Sequence, residues 1–282
     1  MMSKFISSLL VSFGGHSLRV SFDASQIANA FQSHLRHCRV DEGTSPSTEL
    51  RVSTTGTTFR IFTEDRFLFS NLSFDLVLQT LMTETISRLV SVCERGLVLH
   101  AAALAQDENA ILLSGQGGSG KSTLAAWLTT DGLQYMTDEV LEISLDGKLI
   151  QTFPRSIFLK HGSAFVWQNR FRSTESAYFL RFTDNAAWID PHLFNPIPPA
   201  YHAAPRLLIF PHYIPDAQLQ FKKLTTGEAL FFILQNVTNA RNLPLHGMDA
   251  ATNLARQVTA YTLTYSDIES ASAWIHKTLQ AG

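Results

Sequence analysis

The sequence predicts an α/β protein: a small α+β domain over residues 1–95, then a core with a mixed sheet over residues 96–282. Three observations predict it. Residues 115–123 read Gly-Gln-Gly-Gly-Ser-Gly-Lys-Ser-Thr, a full match to the phosphate-loop pattern G-x-x-x-x-G-K-[ST]. The loop has the context such a motif needs. Residues 110–114 are a short apolar run of buried-strand type, and Leu124, Trp127 and Leu128 follow at helical spacing before Gly132. Strand and hairpin signals recur on both sides of the loop, whereas the first 95 residues carry their own strands and two helical stripes.

In the N-terminal region, residues 9–13 and 17–22 alternate around Gly14-Gly15 and read as a hairpin. Ser25 is placed to cap a helix with Ile27, Phe31 and Leu35 on one face. Residues 50–69 alternate polar and apolar around Gly56, the pattern of a small antiparallel sheet. Ser73 is the expected N-cap of a long helix with Val77, Leu78, Leu81, Ile86, Leu89 and Val90 as its stripe and Gly96 as its end.

The core opens with a strand over residues 97–105, a four-residue loop (106–109) and the strand feeding the phosphate loop. If Ala105 faces Ala110, His100 falls opposite Gly115, and a slip of one residue turns it to the other face. Residues 133–144 read as one strand containing Thr137-Asp138-Glu139-Val140, and Asp146-Gly147 is a hairpin signal into residues 148–153. The proline-rich stretch 191–205 is either an ordered crossing or a substrate-side loop. Strands follow at 206–210 and 218–221, then a capping box of Thr225 and Glu228 ahead of residues 229–234. A last strand at 261–265 leads to a helix with Ser266 and Glu269 as a second box and Ile268, Ala271 and Ile275 on one side.

At 282 residues and 45% apolar content the chain can bury the core of one large or two modest domains. A net charge of −2 gives no electrostatic footprint for nucleic acid. No apolar stretch approaches the ~20 residues needed to cross a bilayer, so neither nucleic acid nor membrane is an expected partner. Cys38 and Cys93 are too few for a disulfide framework, which makes a cytoplasmic location the expectation. Self-association into a homo-oligomer stays open.

The loop dictates the chemistry to look for. Gly115, Gln116, Gly117, Gly118, Ser119 and Gly120 can turn consecutive N–H groups toward one anion. Lys121 adds a cation for the β- and γ-phosphates, Ser122 a hydroxyl for Mg²⁺, and Thr123 completes the first helical turn, whose positive end points at the same phosphates. Phosphoryl transfer further needs a carboxylate to hold the metal and a group to take the acceptor's proton. Asp138 and Glu139 can supply both, with Asp138 a metal ligand. Neighbours on a straight strand point oppositely, so both face the site only if the strand ends or bulges there. His100 is the expected hydrogen-bond partner near phosphate or metal. Arg155 and Lys160, in Pro154-Arg155-Ser156-Ile157-Phe158-Leu159-Lys160, are cations that could meet the γ-phosphate or an anionic acceptor. Arg170 and Arg172 could touch substrate, although solvent exposure is the stronger expectation in a loop, and Phe165-Val166-Trp167 reads equally as an acceptor-binding lid or as packing. His34, His37 and Cys38 lack an evident fourth ligand and are not expected to bind metal. Trp127 and Phe231-Phe232 are expected in the core.

Leu99-His100-Ala101-Ala102-Ala103, the phosphate loop, Thr137-Asp138-Glu139, the segment from Pro154 to Lys160 and Tyr261-Thr262-Leu263-Thr264-Tyr265-Ser266-Asp267 occur in an order that resembles the HPr kinase-related kinases over residues 97–280. The resemblance implies a P-loop kinase core like the C-terminal domain of HPr kinase, related to phosphoenolpyruvate carboxykinase, and ATP-dependent phosphorylation of a serine hydroxyl. It implies that His100, Lys121 and the acidic pair line the site, with Ser122 on the metal. Some relatives phosphorylate the precursors of ribosomally made peptides, lasso peptides among them, so a peptide or protein serine is the implied acceptor. There are departures. Asp138-Glu139 stands where HPr kinase has two aspartates, Thr123 where it usually has glutamate, and the segment supplying its metal-binding glutamate is replaced by residues 155–160. These departures argue against a reverse phosphorylase activity and against HPr as the substrate. A small-molecule hydroxyl kinase and a nucleotide-driven switch are the alternatives.

Overall fold

The computed structural model describes residues 4–38, 45–64, 66–160, 162–163, 179–183, 186–194 and 203–280. The sequence candidates Phe165-Val166-Trp167, Arg170 and Arg172, and residues 195–202 of the proline-rich stretch, lie outside them. The chain divides into two compact units, Met1–Arg95 and Gly96–Gly282.

In the first unit, β1 (Ser7–Phe13), β2 (His16–Phe22), β3 (Thr48–Thr55), β4 (Thr58–Phe62) and β5 (Phe67–Leu72) form one sheet in that order. All neighbours are antiparallel except β2 and β3, which run parallel across the connection through α1 (Ser25–His34). Period-2 burial explains the face that is covered: Leu18, Val20 and Phe22 of β2 and Leu50 and Val52 of β3 are buried beneath α1 and α2 (Phe74–Val92). Ser73 caps α2 by accepting from the Leu76 N–H, as its sequence position predicts. Two expected boundaries differ. Ser25 is the first helical residue, with Ala24 as an N-cap that offers no side-chain bond. Helix α2 ends at Val92, and Gly96 instead opens a strand, where a Cβ would run into the Ile143 carbonyl of the neighbouring strand.

In the second unit, the described residues build a large mixed sheet from β6 (Gly96–Gln106), β7 (Asn109–Ser114), β8 (Gln134–Thr137), β9 (Val140–Ser144), β10 (Ile150–Thr152), β14 (Ala204–Tyr213), β15 (Gln220–Lys223) and β16 (Thr259–Tyr265). The order is β10-β9-β6-β7-β14-β16-β15, with β8 also pairing β6. At its centre β7, β14 and β16 run parallel, so their carboxyl ends share one edge. Pro205 lies inside β14 at a register shift, the place where a strand tolerates a missing N–H.

Helices cover both faces. Ala102, Leu104, Ile111, Leu113, Leu207, Ile209, Leu263 and Tyr265 cluster with α3 (Lys121–Thr130) and α6 (Ile268–Gln280). Leu97, Leu99, Ala101, Ala103, Leu112, Leu208 and Phe210 cluster with α4 (Thr226–Leu234) and α5 (Met248–Gln257). A smaller sheet, β11 (Ile157–Lys160), β13 (Ala186–Ile189) and β12 (Phe179–Thr183) in that order, packs Ile157, Leu159, Ala187 and Ile189 against Ala126 and Trp127 of α3. Among the described residues no helix is long and apolar enough to cross a membrane.

Local signals decide several helix starts. Thr225 and Glu228 make the complete reciprocal capping box ahead of α4. At α6 the expected box does not form. Asp267 accepts from the Ser270 N–H, whereas the Ser266 hydroxyl donates to the Ala217 carbonyl. Phe231, expected in the core, is exposed, because α4 is apolar almost all round and only one face can meet the sheet.

Candidate functional site

The glycine loop sits between β7 and α3 at the edge where the parallel strands end, the place where open α/β sheets receive ligands. Its glycines are used for two reasons. Gly118 and Gly120 take φ of +85° and +96°, and a Cβ at Gly120 would collide with the Tyr265 hydroxyl. The Ser119 N–H donates to the Gln116 carbonyl, and the Ser119 carbonyl accepts from the Tyr213 N–H at 3.2 Å, which ties the loop to the end of β14. Lys121, Ser122 and Thr123 form the first turn of α3. Lys121 is buried and its Nζ donates to the carbonyls of Gly115 at 2.6 Å and Gln116 at 3.0 Å, so the ammonium is held at the loop. The Thr123 hydroxyl donates to Ser163 at 2.7 Å.

The β6–β7 hairpin has the expected register, Ala105 opposite Ala110, but it runs on to Gln106 and Asn109 and leaves a two-residue turn with Asp107 at φ +56°. At the other end pairing stops at Ala101 and Ser114, so His100 is not paired with Gly115. It pairs with Val140 of β9, on the opposite side of β6. Its face is nevertheless the one shared with Ala102 and Leu104, toward α3, as strand alternation requires. The small side chain of Ala102 lies in the same cluster as Leu124 and Ala125, and α3 packs close on β6.

The expected single strand over residues 133–144 is broken. β8 stops at Thr137 and β9 begins at Val140, leaving Asp138 and Glu139 in a bend. The bend is pinned from inside: the Thr137 hydroxyl lies 3.1 Å from the Val140 carbonyl and 2.9 Å from the Phe153 carbonyl, while the Ala101 N–H donates to the Glu139 carbonyl at 3.2 Å. The break frees the two carboxylates from strand alternation, and both meet Arg155. Arg155 Nη2 donates to Glu139 Oε2 at 2.6 Å and lies 3.3 Å from Asp138 Oδ1. Arg155 is 5% exposed and Asp138 1%. Tyr135 Oη sits 3.1 Å from Asp138 Oδ1 and 2.9 Å from the Arg155 carbonyl. Tyr135 is a member of the cluster that sequence reading missed, because a tyrosine in an apolar strand carries no signal beyond core packing. Ser122, in the first turn of α3, lies close enough to Asp138 to lower its pKa, the smallest of the influences on that carboxylate, which brings the loop and the acidic bend together.

His100 Nδ1 lies 3.0 Å from the Glu139 carbonyl and 3.7 Å from Glu139 Oε1. A carbonyl can only accept, so Nδ1 carries the proton in this contact and Nε2 is the ring's acceptor. Lys160 ends β11 exposed, and its charge reaches the site as a field that opposes the charge on Lys121. These residues came from four separate sequence segments, and the fold brings them to one edge.

No protein-family model and no curated protein matches the chain. Among solved structures, the HPr(Ser) kinase/phosphatase from Coxiella burnetii is similar to it at 14% identity over 66% of this chain and 99% of that one, with a TM-score of 0.33. Likeness at that level assigns neither fold nor activity, and the site stands on its own geometry.

Burial and pairing push the cluster's protonation equilibria apart. Burial raises Asp138 to about 6, against the opposing pull of Arg155. Burial would raise Glu139 as well, but Arg155, His100 and Lys121 outweigh it and hold that carboxylate below its ordinary range. Burial, with Lys121 nearby, keeps His100 below its usual value. Lys121 is lowered by burial in spite of Glu139 and Asp138. Burial works against the charge on Arg155, yet the two carboxylates raise its pKa further. The chemical outcome is one carboxylate held ionised and partly exposed, and one buried carboxylate that titrates near neutrality.

Proposed function

We propose that the chain is an ATP-dependent kinase that transfers the γ-phosphoryl group to a serine hydroxyl of a peptide or protein, with a ribosomally made peptide precursor as the implied acceptor. The observation that carries this reading is the acid–cation cluster of Arg155, Glu139 and Asp138 beside the phosphate-loop sequence, whose two carboxylates act on Lys121.

Ser122 and Asp138 present neighbouring hard oxygens, the donor type that suits Mg²⁺, which when bound neutralises charge on the phosphates. Lys121, held at the loop by Gly115 and Gln116, supplies the cation for the β- and γ-phosphates. Arg155 offers its guanidinium to charge developing on the transferring group, and its pairing with both carboxylates fixes its position before substrate arrives. Glu139 takes the serine proton. Its side chain is 34% exposed, whereas that of Asp138 is shut in, and reach comes before pKa in choosing a base. The serine O–H bond breaks as its oxygen attacks the γ-phosphorus, and the bond from that phosphorus to the bridging oxygen of ADP breaks. His100 braces the Glu139 carbonyl through Nδ1. The N-terminal unit, which carries none of this machinery, is assigned to recognition of the acceptor.

The test is incubation with Mg²⁺ and [γ-³²P]ATP in the presence of a serine-peptide library, with phosphoserine identified after acid hydrolysis. Wild type should label peptide, and Lys121→Ala should not while keeping its circular-dichroism spectrum. Hydrolysis of ATP with no labelled product would point to a nucleotide switch, and label only on small metabolites would move the acceptor class.

A further inference from the structure

The acidic bend and His100 reach the glycine loop from one side only. In the sheet, β7 lies between β6 and β14. Asp138, Glu139 and His100 are on the β6, β8 and β9 side, where the acceptor end of a triphosphate must lie for transfer to occur. A triphosphate that presents its terminal phosphate there runs its nucleoside end the other way, toward the carboxyl ends of β14 and β16. Those ends are Tyr213 and Tyr265.

Both tyrosines touch the loop. The Tyr213 N–H donates to the Ser119 carbonyl, the Tyr265 hydroxyl lies 3.5 Å from the Gly120 carbonyl, and a Cβ on Gly120 would come 3.4 Å from the Tyr213 Cβ. The two rings meet edge to face with centroids 5.8 Å apart. They differ in one decisive way: Tyr265 is 2% exposed, whereas Tyr213 is 47% exposed. Tyr265 is a strut beneath the loop. Tyr213 leaves nearly half of its surface open to solvent, with its backbone tied to the loop and its ring against that of Tyr265. An aromatic ring held in one orientation beside a phosphate cradle is a stacking platform for a flat π-system, and its ordering cost is already met by the fold.

We propose that Tyr213 forms the nucleobase subsite, stacking on the base of the nucleoside triphosphate bound at the glycine loop. This inference rests on the proposed nucleotide-binding function. Stacking of a base on an aromatic side chain corresponds to about ten- to a hundredfold in affinity. It does not depend on a particular exocyclic group, so Tyr213 confers preference for a nucleotide over a bare polyphosphate without choosing between purines.

The experiment compares binding of Mg²⁺-ATP and of inorganic tripolyphosphate with Mg²⁺, by calorimetry, to wild type, Tyr213→Ala, Tyr213→Phe and Lys121→Ala. Wild type should bind ATP about ten- to a hundredfold more tightly than tripolyphosphate. Tyr213→Ala should lose that margin while its affinity for tripolyphosphate stays at the wild-type level, and Tyr213→Phe should keep it. Lys121→Ala should weaken both ligands. Equal loss of both ligands in Tyr213→Ala would mean that the side chain only supports the loop, and unchanged ATP affinity would mean that the base lies elsewhere; either overturns the subsite while leaving the nucleotide site in place. Failure of wild type to bind either ligand would overturn the nucleotide site and the subsite together.

Discussion

Replacing Asp138 by Asn should stabilise the fold at alkaline pH while abolishing transfer. The side chain keeps its size and an oxygen for Tyr135, but it no longer has a charge to bury. In the native state Asp138 titrates at about 6, against a free value of 3.8, so the native protein binds the proton more tightly than the unfolded chain does. Stability from this group is therefore fully present below pH 3.8 and is lost as pH rises through about 6. A shift of roughly 2 pKa units corresponds to about 3 kcal/mol. Asn does not titrate, so the stability of Asp138→Asn minus that of wild type should grow by about 3 kcal/mol between acid and pH 8. Any constant difference between Asn and protonated Asp cancels in that comparison. Denaturant unfolding followed by tryptophan fluorescence reads the correct unit, since Trp127, Trp167, Trp188 and Trp274 all lie beyond residue 95. A difference that stays flat with pH, or that shrinks as pH rises, would refute the burial argument. Loss of transfer in a variant that is the more stable one at pH 8 would mark Asp138 as retained for chemistry.

Two other substitutions probe the same edge. Arg155→Met leaves both carboxylates without their cation and should cost roughly 3–5 kcal/mol, the usual penalty for orphaning a buried charge; in an Asp138→Asn background the cost should fall, and an equal cost in both backgrounds by the same unfolding assay would show that Arg155 does not balance the charge of Asp138. Gly120→Ala should lower stability by roughly 1–3 kcal/mol, because φ of +96° disfavours a side chain and the new Cβ meets the Tyr265 hydroxyl. Tyr265→Phe should recover part of that loss, measured as melting temperature, since it removes the collision and leaves the backbone cost. Full recovery would rule out the backbone contribution.

Local chemistry was the legible part of the sequence. The Thr225 and Glu228 box, the Ser73 cap and the β6–β7 register each depend on residues close in the chain, and all three form. The glycine loop was legible for the same reason. Features set by distant partners were not. Ser266 has the sequence of a cap, but the Ala217 carbonyl takes its hydroxyl and Asp267 caps the helix. Gly96 has the look of a helix stop and is instead a strand residue under the Ile143 carbonyl. Helix α5 escaped because its buried stripe is Ala250, Ala251, Leu254 and Ala255, and alanines carry a weak periodic signal. Strand β13 could not be inferred without β11, the partner that covers it.

The bend at Asp138 and Glu139 shows how one such tertiary feature decides what the site can do. On a continuous strand the two carboxylates would face opposite sides of the sheet, and only one could serve the loop. Nothing in the run Tyr135-Met136-Thr137-Asp138-Glu139-Val140-Leu141 interrupts a strand pattern. The interruption comes from Thr137, whose hydroxyl reaches the Val140 and Phe153 carbonyls, and from Arg155, which is delivered two residues after Phe153. The hairpin from β9 to β10 thus returns the chain to the bend, supplies the carbonyl that helps hold it and then the guanidinium that balances it. Once the strand is broken, the carboxylates divide by environment. Asp138 turns inward to Tyr135, where burial raises its pKa to about 6. Glu139 stays partly exposed beside His100, where its cationic neighbours keep it ionised against the effect of burial. Two adjacent acids of nearly equal intrinsic strength therefore become unequal through the geometry of one turn.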